Sequence, residues 1–468
     1  MLSLAVFIND IAAIYATGNA TEHSYRPALS ALLNSLAADL NIINEPKRIA
    51  CGAPDFMVQS GERVIGHIEA KDVTVDLFNF SAPNQEQQAR YRKALPNLIY
   101  TNCLDWQFFR NGDLIASVNI GSWRDGICAN ATQFAALENL LLDFIQQRPI
   151  SITTPQVLAE RMAGKASLIK DILRNTLEAD ANQRTELTEQ FQAFQDNLIK
   201  GITRNEFADV YAETLAYGLF AARLHTTDPQ QFNRHTALNL LPKSNPFLRA
   251  LFAYIAGVDL DERIAWIIDD LVLVFQVTDI AQVLAGFGKL TGHTDPFLHF
   301  YETFLTAYNP AKRKARGVWY TPEAVVDFIV RAVDEVLITE FDLPDGLADT
   351  SKVTIDWDTG KLNNEGQRVT MKKEVHRVQI LDPAVGTGTF LAAVMKHIAP
   401  RIKNVATGLW SHYLETDLIP RLHGFELLMA SYAMCHLKLD MILTELGYTK
   451  LISDFRFLIS DNSELITQ

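Results

Sequence analysis

The chain has 468 residues, 48% of them apolar and 10% aromatic, so two or three domains with cores of their own are expected and widespread disorder is not. Its formal charge of −13 excludes a general basic coat for nucleic acid, though not a local basic cleft. Cys51, Cys103, Cys128 and Cys435 form no Cys-x-x-Cys pair, which argues against a disulfide framework or thiolate metal site and for a reducing compartment.

The opening residues, MLSLAVFINDIAAIYATG, are apolar, but Asp10 interrupts them and no basic segment precedes. They read as an amphipathic helix rather than a signal sequence. No apolar run nears the roughly 20 residues that span a bilayer, LVLVF at 271–275 being far too short. A cytoplasmic protein off the membrane is expected. From 1 to 150 the pattern predicts an α/β domain. Helical periodicity covers 3–16 and 26–39, strand-like runs fall near 41–49, 55–59 and 63–69, and a polar helix follows at 84–95. Strands are expected again at Asn97–Thr101, Trp106–Arg110 and Leu114–Asn119.

Within this domain, PDFMVQSGERVIGHIEAKD (54–72) carries Asp55 at the start of one strand and Glu69 and Lys71 at the end of the next. Alternate strand residues share a face, so Glu69 and Lys71 point one way, and Val64 and Ile68 are expected to anchor the other. If the strands are neighbours, Asp55 joins the pair. Two carboxylates, with the Ala70 carbonyl, form a hard oxygen set suited to Mg²⁺. Lys71 could orient water or stabilise developing negative charge. The same spacing also describes a surface hairpin with a solvated Glu–Lys pair.

Residues 151–310 predict an all-helical region, opening at Thr154-Pro155. Amphipathic stretches run through 181–201, 205–224, 246–256 and 263–276. The nearest approach to a phosphate-binding loop, GFGKLT at 286–291, lacks the first glycine and the hydroxyl residue, so no ATP motor is expected. From 311 to 468 a helix after Pro322, a polar loop or hairpin at 345–374, and two strand–turn–helix units predict a partial parallel sheet, with a third strand from about Phe457. LDPAVGTGTFL places Gly386 and Gly388 in a turn between strand and helix, where backbone can approach a ligand.

The Asp55…Glu69-x-Lys71 arrangement resembles the PD-(D/E)xK nucleases. TEHSYRPALSALL, with Glu22, and QQARYRKALPNLIYTN, with Gln87 and Tyr91, are similar to the restriction-endonuclease branch of that superfamily. The resemblance implies metal binding by Asp55, Glu69 and Ala70, with Lys71, Glu22 and Gln87 as further catalytic residues. The third region resembles the N6-adenine DNA methyltransferases, on GVWYTP (Tyr320, Thr321, Pro322), LDPAVGTG (Asp382, Pro383, Ala384, Gly386, Gly388), HGFELL (Glu426) and FLISDNSEL (Asp461, Asn462). This implies S-adenosyl-L-methionine as cofactor. Glu426 would accept from the ribose hydroxyls, and Asp461 or Asn462 would read the adenine.

With EFADVYAETLAYGLFAAR and HFYETFLTAYNPAKRKARG similar to a connector, the whole resembles the front part of a single-chain Type IIG or Type ISP-like restriction–modification enzyme, without the helicase of the latter. Nuclease, connector and partial Rossmann-like methyltransferase are expected at 1–150, 151–310 and 311–468. Double-stranded DNA is the implied partner. The Asn/Asp/Ser-Pro-Pro-aromatic motif of such methyltransferases is not found; SNPFL, TDPFL and YNPAK each lack the second proline. Methyl transfer is therefore expected to need a C-terminal methyltransferase and target-recognition polypeptide. A non-catalytic assembly subunit is the alternative.

Overall fold

Alternating apolar residues in the first 120 positions build one six-stranded sheet. The computed structural model describes residues 3–37, 40–44, 52–61, 63–147, 151–197, 200–224, 226, 228–240, 252–253, 260–286, 296–309, 321–363, 366–405, 410–426 and 429–448. Helices α1 (Leu4–Ala16) and α2 (Glu22–Asn34) precede strands β1 (Leu40–Asn44), β2 (Phe56–Ser60) and β3 (Arg63–Ala70). Then come α3 (Ala82–Ala94), β4 (Asn97–Thr101), β5 (Asp105–Arg110), β6 (Asp113–Asn119) and a short separate pair, β7 (Gly121–Ser122) and β8 (Cys128–Ala129). Strand order follows the chain, antiparallel throughout except that β3 and β4 run parallel, the connection that carries α3 as its crossover.

Helix α2 starts four residues earlier than its periodicity suggests, because the Thr21 hydroxyl and the Ser24 side chain cap it reciprocally. Strand β3 contains a bulge. Val58 faces Gly66 and Gln59 faces Val64, so Ile65 is an extra residue. Ile65 therefore joins Ile68 in the core while Val64 stays half-exposed, which corrects the expectation that Val64 anchors that face.

A helix that the sequence reading passed over, α4 (Phe134–Ile145), buries Leu137, Leu141 and Phe144 against the same face as α1 and α2. The opposite face, with Leu98, Tyr100 and Phe109, belongs to a second core shared with the helical middle of the chain. That middle comprises α5 (Pro155–Ala179), α6 (Glu186–Asn197), α7 (Arg204–Leu224), α8 (Arg234–Leu240), α9 (Glu262–Gln276), α10 (Ile280–Gly286) and α11 (Pro296–Tyr308). Thr154 caps α5, its hydroxyl accepting from the Val157 N–H. Gly164 lets α5 close on α3: a Cβ there would lie 2.4 Å from the Lys93 carbonyl oxygen. Most of the 246–256 stretch, and GFGKLT beyond Gly286, lie outside the described residues.

A third core gathers α12 (Glu323–Glu340), α13 (Thr389–Val405) and α14 (Met429–Glu445) around the short parallel pair β11 (Ile380–Asp382) and β12 (Leu422–Gly424). Between α12 and β11, the polar stretch forms an exposed antiparallel hairpin of β9 (Lys352–Leu362) and β10 (Arg368–His376). Met434 of α14 joins the helical-middle core. The expected strand near Phe457 lies outside the described residues. The protein is thus a mixed α/β multidomain chain. Among the described residues no helix is long and apolar enough to cross a membrane.

Candidate active site

The pairing of Phe56 with Ile68 sets Asp55, immediately before β2, level with Glu69 near the end of β3. Both carboxylates are buried, as is Lys71 one residue beyond the strand. Asp55 Oδ2 accepts from the Ala70 N–H at 2.7 Å. Lys71 Nζ donates to Glu69 Oε1 at 2.6 Å and to Gln87 Oε1 of α3 at 2.9 Å. Tyr91, one turn on from Gln87, donates from its hydroxyl to the Gly52 carbonyl at 2.8 Å and ties the helix to the segment entering β2. Asp55, Glu69, Ala70, Lys71 and Gln87 therefore lie together.

Glu22 reaches this cluster through a residue that sequence reasoning did not single out. Arg26 Nη2 donates to Glu22 Oε1 at 2.7 Å and to Asp55 Oδ1 at 2.5 Å. The signal for the first contact was present, since a Glu and an Arg four residues apart share a helix face. Nothing local announces the second, 29 residues away.

Burial pushes both strand carboxyls up. For Asp55, Arg26 and the Ala70 N–H oppose the rise, and for Glu69 the charge of Asp55 adds to it while Lys71 opposes it. Glu69 Oε2 is buried without a hydrogen-bond partner. Among the described residues no group of three or more His, Cys, Asp or Glu side chains assembles as a metal cage. What remains is a hard pair of carboxylates with an unanswered oxygen and a desolvation cost that a cation would relieve. That set fits Mg²⁺, which keeps several waters and needs only one or two protein carboxylates.

One consequence is measurable without metal. Glu69 moves from its ordinary 4.5 to about 8 on folding, so its stabilising contribution is complete below pH 4.5 and is lost as pH rises to 8. Thermal unfolding in EDTA should show wild type losing stability relative to Glu69→Gln across that window. Mg²⁺ should raise the wild-type melting temperature more at pH 8 than at pH 5. Parallel pH curves for the two proteins would contradict this.

The second candidate site is the turn between β11 and α13. Gly386 and Gly388 have φ of 56° and 84°, left-handed values that favour glycine. A Cβ on Gly388 would meet Cys435 Sγ at 2.8 Å, whereas one on Gly386 would have nothing closer than the Ala384 carbonyl oxygen at 4.0 Å. The space is thus on the Gly386 side. There Glu426, two residues past β12, accepts from the Gly386 N–H through Oε2 at 2.9 Å. Asp382 ends β11; its Oδ1 accepts from the Ala384 N–H at 3.1 Å, its buried Oδ2 has no partner, and burial raises its carboxyl. Pro383 and Ala384 form the exposed start of the turn. Thr321 and Pro322 stand directly before α12, whose Val326 and Val330 pack in the same core as α13. Tyr320, Asp461 and Asn462 lie outside the described residues.

The family model for N-6 DNA methylase matches residues 292–343, a segment that includes α11 and α12 and ends before the glycine turn. No curated protein sequence matches the chain. Among solved structures, the DrdV–DNA complex is 20% identical, aligned over 99% of this chain and 42% of that one with a TM-score of 0.39. LlaBIII, an ATP-dependent Type ISP restriction–modification enzyme bound to DNA, is 17% identical over 74% of this chain and 21% of its own, with a TM-score of 0.39. A nuclease-deletion mutant of the Type ISP restriction–modification enzyme LlaGI, in complex with a DNA substrate mimic, is 16% identical over 69% and 22%, with a TM-score of 0.37. The chain spans about two fifths of the first of these proteins and less of the others. The chain thus carries an N-6 DNA methylase match at residues 292–343.

Proposed function

We propose that residues 1–150 form a PD-(D/E)xK-type, Mg²⁺-dependent DNA endonuclease, joined by the helical connector at 151–310 to the first part of an adenine-N6 methyltransferase at 311–468. The observation that carries the nuclease reading is the buried Asp55–Glu69–Lys71 cluster, with Glu69 Oε2 unanswered. Mg²⁺ held by Asp55, Glu69 and the Ala70 carbonyl would supply Lewis acidity at the scissile phosphate. Lys71, fixed by Glu69 and Gln87, holds its ammonium toward the cluster, where it can orient water and stabilise charge that builds on the phosphoryl oxygens. Arg26 neutralises Asp55 in the metal-free protein.

The glycine turn fits the adenosine end of S-adenosyl-L-methionine. Open space at Gly386 would admit the ligand, and Glu426 is within reach to accept from ribose hydroxyls. Tyr320, Thr321 and Pro322 would approach the methionine end and Asp461 or Asn462 the adenine, by resemblance. Methyl transfer and target reading would need the Pro-Pro-aromatic motif and a target-recognition segment in addition to residues 1–468.

Two assays test this reading. A plasmid should be cut with Mg²⁺ and not with EDTA, by the chain alone or with a recognition-bearing partner; no metal-dependent cutting in either setting sinks the nuclease. Calorimetry should show S-adenosyl-L-methionine binding that Glu426→Gln weakens about tenfold or more, as expected for losing a charged acceptor. Equal binding by the variant would remove Glu426 from the site. A second reading, a non-catalytic assembly subunit in a restriction–modification or defence complex, is favoured by one observation: α12 exposes Val325, Phe328, Ile329, Val333 and Val336.

A further inference from the structure

We propose that the cavity between strands β3–β4 and helices α5 and α9 is a binding site for a nucleoside phosphate, separate from both sites above. Its volume is about 650 Å³, inside the range of roughly 300–1,000 Å³ typical of small-molecule pockets. Val157, Arg161 and Lys165 recur every four residues along α5 and so present one stripe to it. Asp270 and Val274 of α9 do the same from the adjoining wall, and Val64 and His67 line it from β3.

Charge points to an anion. In a chain of net −13, three cationic side chains among the described residues line this space, Arg110, Arg161 and Lys165, against one described carboxylate, that of Asp270. Two are already answered: Lys165 pairs with Asp270, and Arg110 with Asp143 at 2.7 Å. The third, Arg161, is half-buried beside Glu160, whose Oε1 is taken up by Gln156 at 2.6 Å. Its guanidinium is the group a phosphate would meet, with fork geometry suited to bidentate contact.

His67 supplies the other half. It is 2% exposed, and neither ring nitrogen has a hydrogen-bond partner. Buried polar groups are rarely left so. A neutral imidazole offers one donor and one acceptor, which is the pattern that a nucleobase edge complements. The aliphatic side chains of Val64, Val157 and Val274 offer apolar wall for a flat heterocycle, Asn97, Asn111 and Gln276 add polar groups, and the Trp266 ring packs 5.6 Å from the His67 ring. His67 precedes Glu69 by two residues on the same strand, so a ligand here would bridge the sheet to the helical middle next to the candidate metal site.

The test is calorimetry of the full chain with AMP, adenosine and inorganic phosphate. AMP should bind saturably, with adenosine and phosphate each at least tenfold weaker. Arg161→Gln and His67→Phe should each weaken AMP at least tenfold, with circular dichroism showing the fold retained; Arg161→Gln, at a half-buried position, serves if His67→Phe does not fold. The titrations are run with excess S-adenosyl-L-methionine to occupy the glycine turn, and AMP should still bind. No saturable AMP binding by folded wild type, as for a cavity that holds only water, overturns the proposal. So do AMP binding that Arg161→Gln and His67→Phe leave intact, AMP binding that excess S-adenosyl-L-methionine abolishes, and phosphate binding as tight as AMP. None of these outcomes bears on whether the chain cuts DNA.

Discussion

Lys71→Ala should lower Mg²⁺-dependent DNA cleavage on the order of 10²–10³-fold while Mg²⁺ still binds, the loss typical of removing one preorganised donor from a water-excluded site. The reason lies in how the side chain is held. Lys71 is buried, and its ammonium is fixed from two sides, by Glu69 two residues earlier and by Gln87 on the crossover helix. Such a group needs no reorganisation when negative charge develops, whereas a solvated lysine would. Removing it also removes a cation that competes for Glu69, so Mg²⁺ affinity should hold or rise. Gln87→Ala, which leaves the charge but loosens it, should cost less than Lys71→Ala. Single-turnover cleavage together with Mg²⁺ calorimetry separates the two effects. A Lys71→Ala protein that cuts at the wild-type rate would return the residue to a structural ion pair.

Lys165→Met should destabilise the protein by about 3–5 kcal/mol, the cost of leaving a buried charge without its partner. Lys165 is 1% exposed and pairs with Asp270, joining α5 to α9 in the wall of the inter-element cavity. Burial holds the ammonium below its ordinary range, and Asp270 opposes that shift. The pair is not a strong net stabiliser, because desolvating two ions offsets most of their attraction. Lys165→Met with Asp270→Leu should therefore recover most of the loss. Denaturant midpoints of the four proteins in this cycle check it. Additive losses in the double variant would show that the two side chains act independently.

The contrast between these residues explains what could be read from the chain. Glu69 and Lys71 were legible because strand alternation alone puts them on one face, and Asp55 because a short turn brings its strand back beside theirs. Gln87 was legible only through resemblance, since α3 is polar almost all round and no periodicity marks its inner side. Arg26 looked like one half of a surface helix pair; its contact with Asp55 exists only once α2 has docked on the sheet. The bulge at Ile65 was hidden for a related reason, since register depends on both strands and the core beneath them. Lys165 and Asp270, 105 residues apart, were merely polar positions in a region read as helical throughout. By contrast, α4 could have been found, because Leu137, Leu141 and Phe144 keep helical spacing.

The proposed nuclease stands or falls on whether Asp55 and Glu69 hold a divalent ion. Titrating Mg²⁺ into wild type and Glu69→Gln, at a pH near 8 and with circular dichroism showing both folded, tests it most directly. Wild type should bind Mg²⁺ saturably and Glu69→Gln at least tenfold more weakly, with cleavage lost in step. Equal Mg²⁺ binding and equal cleavage by the two proteins would contradict it.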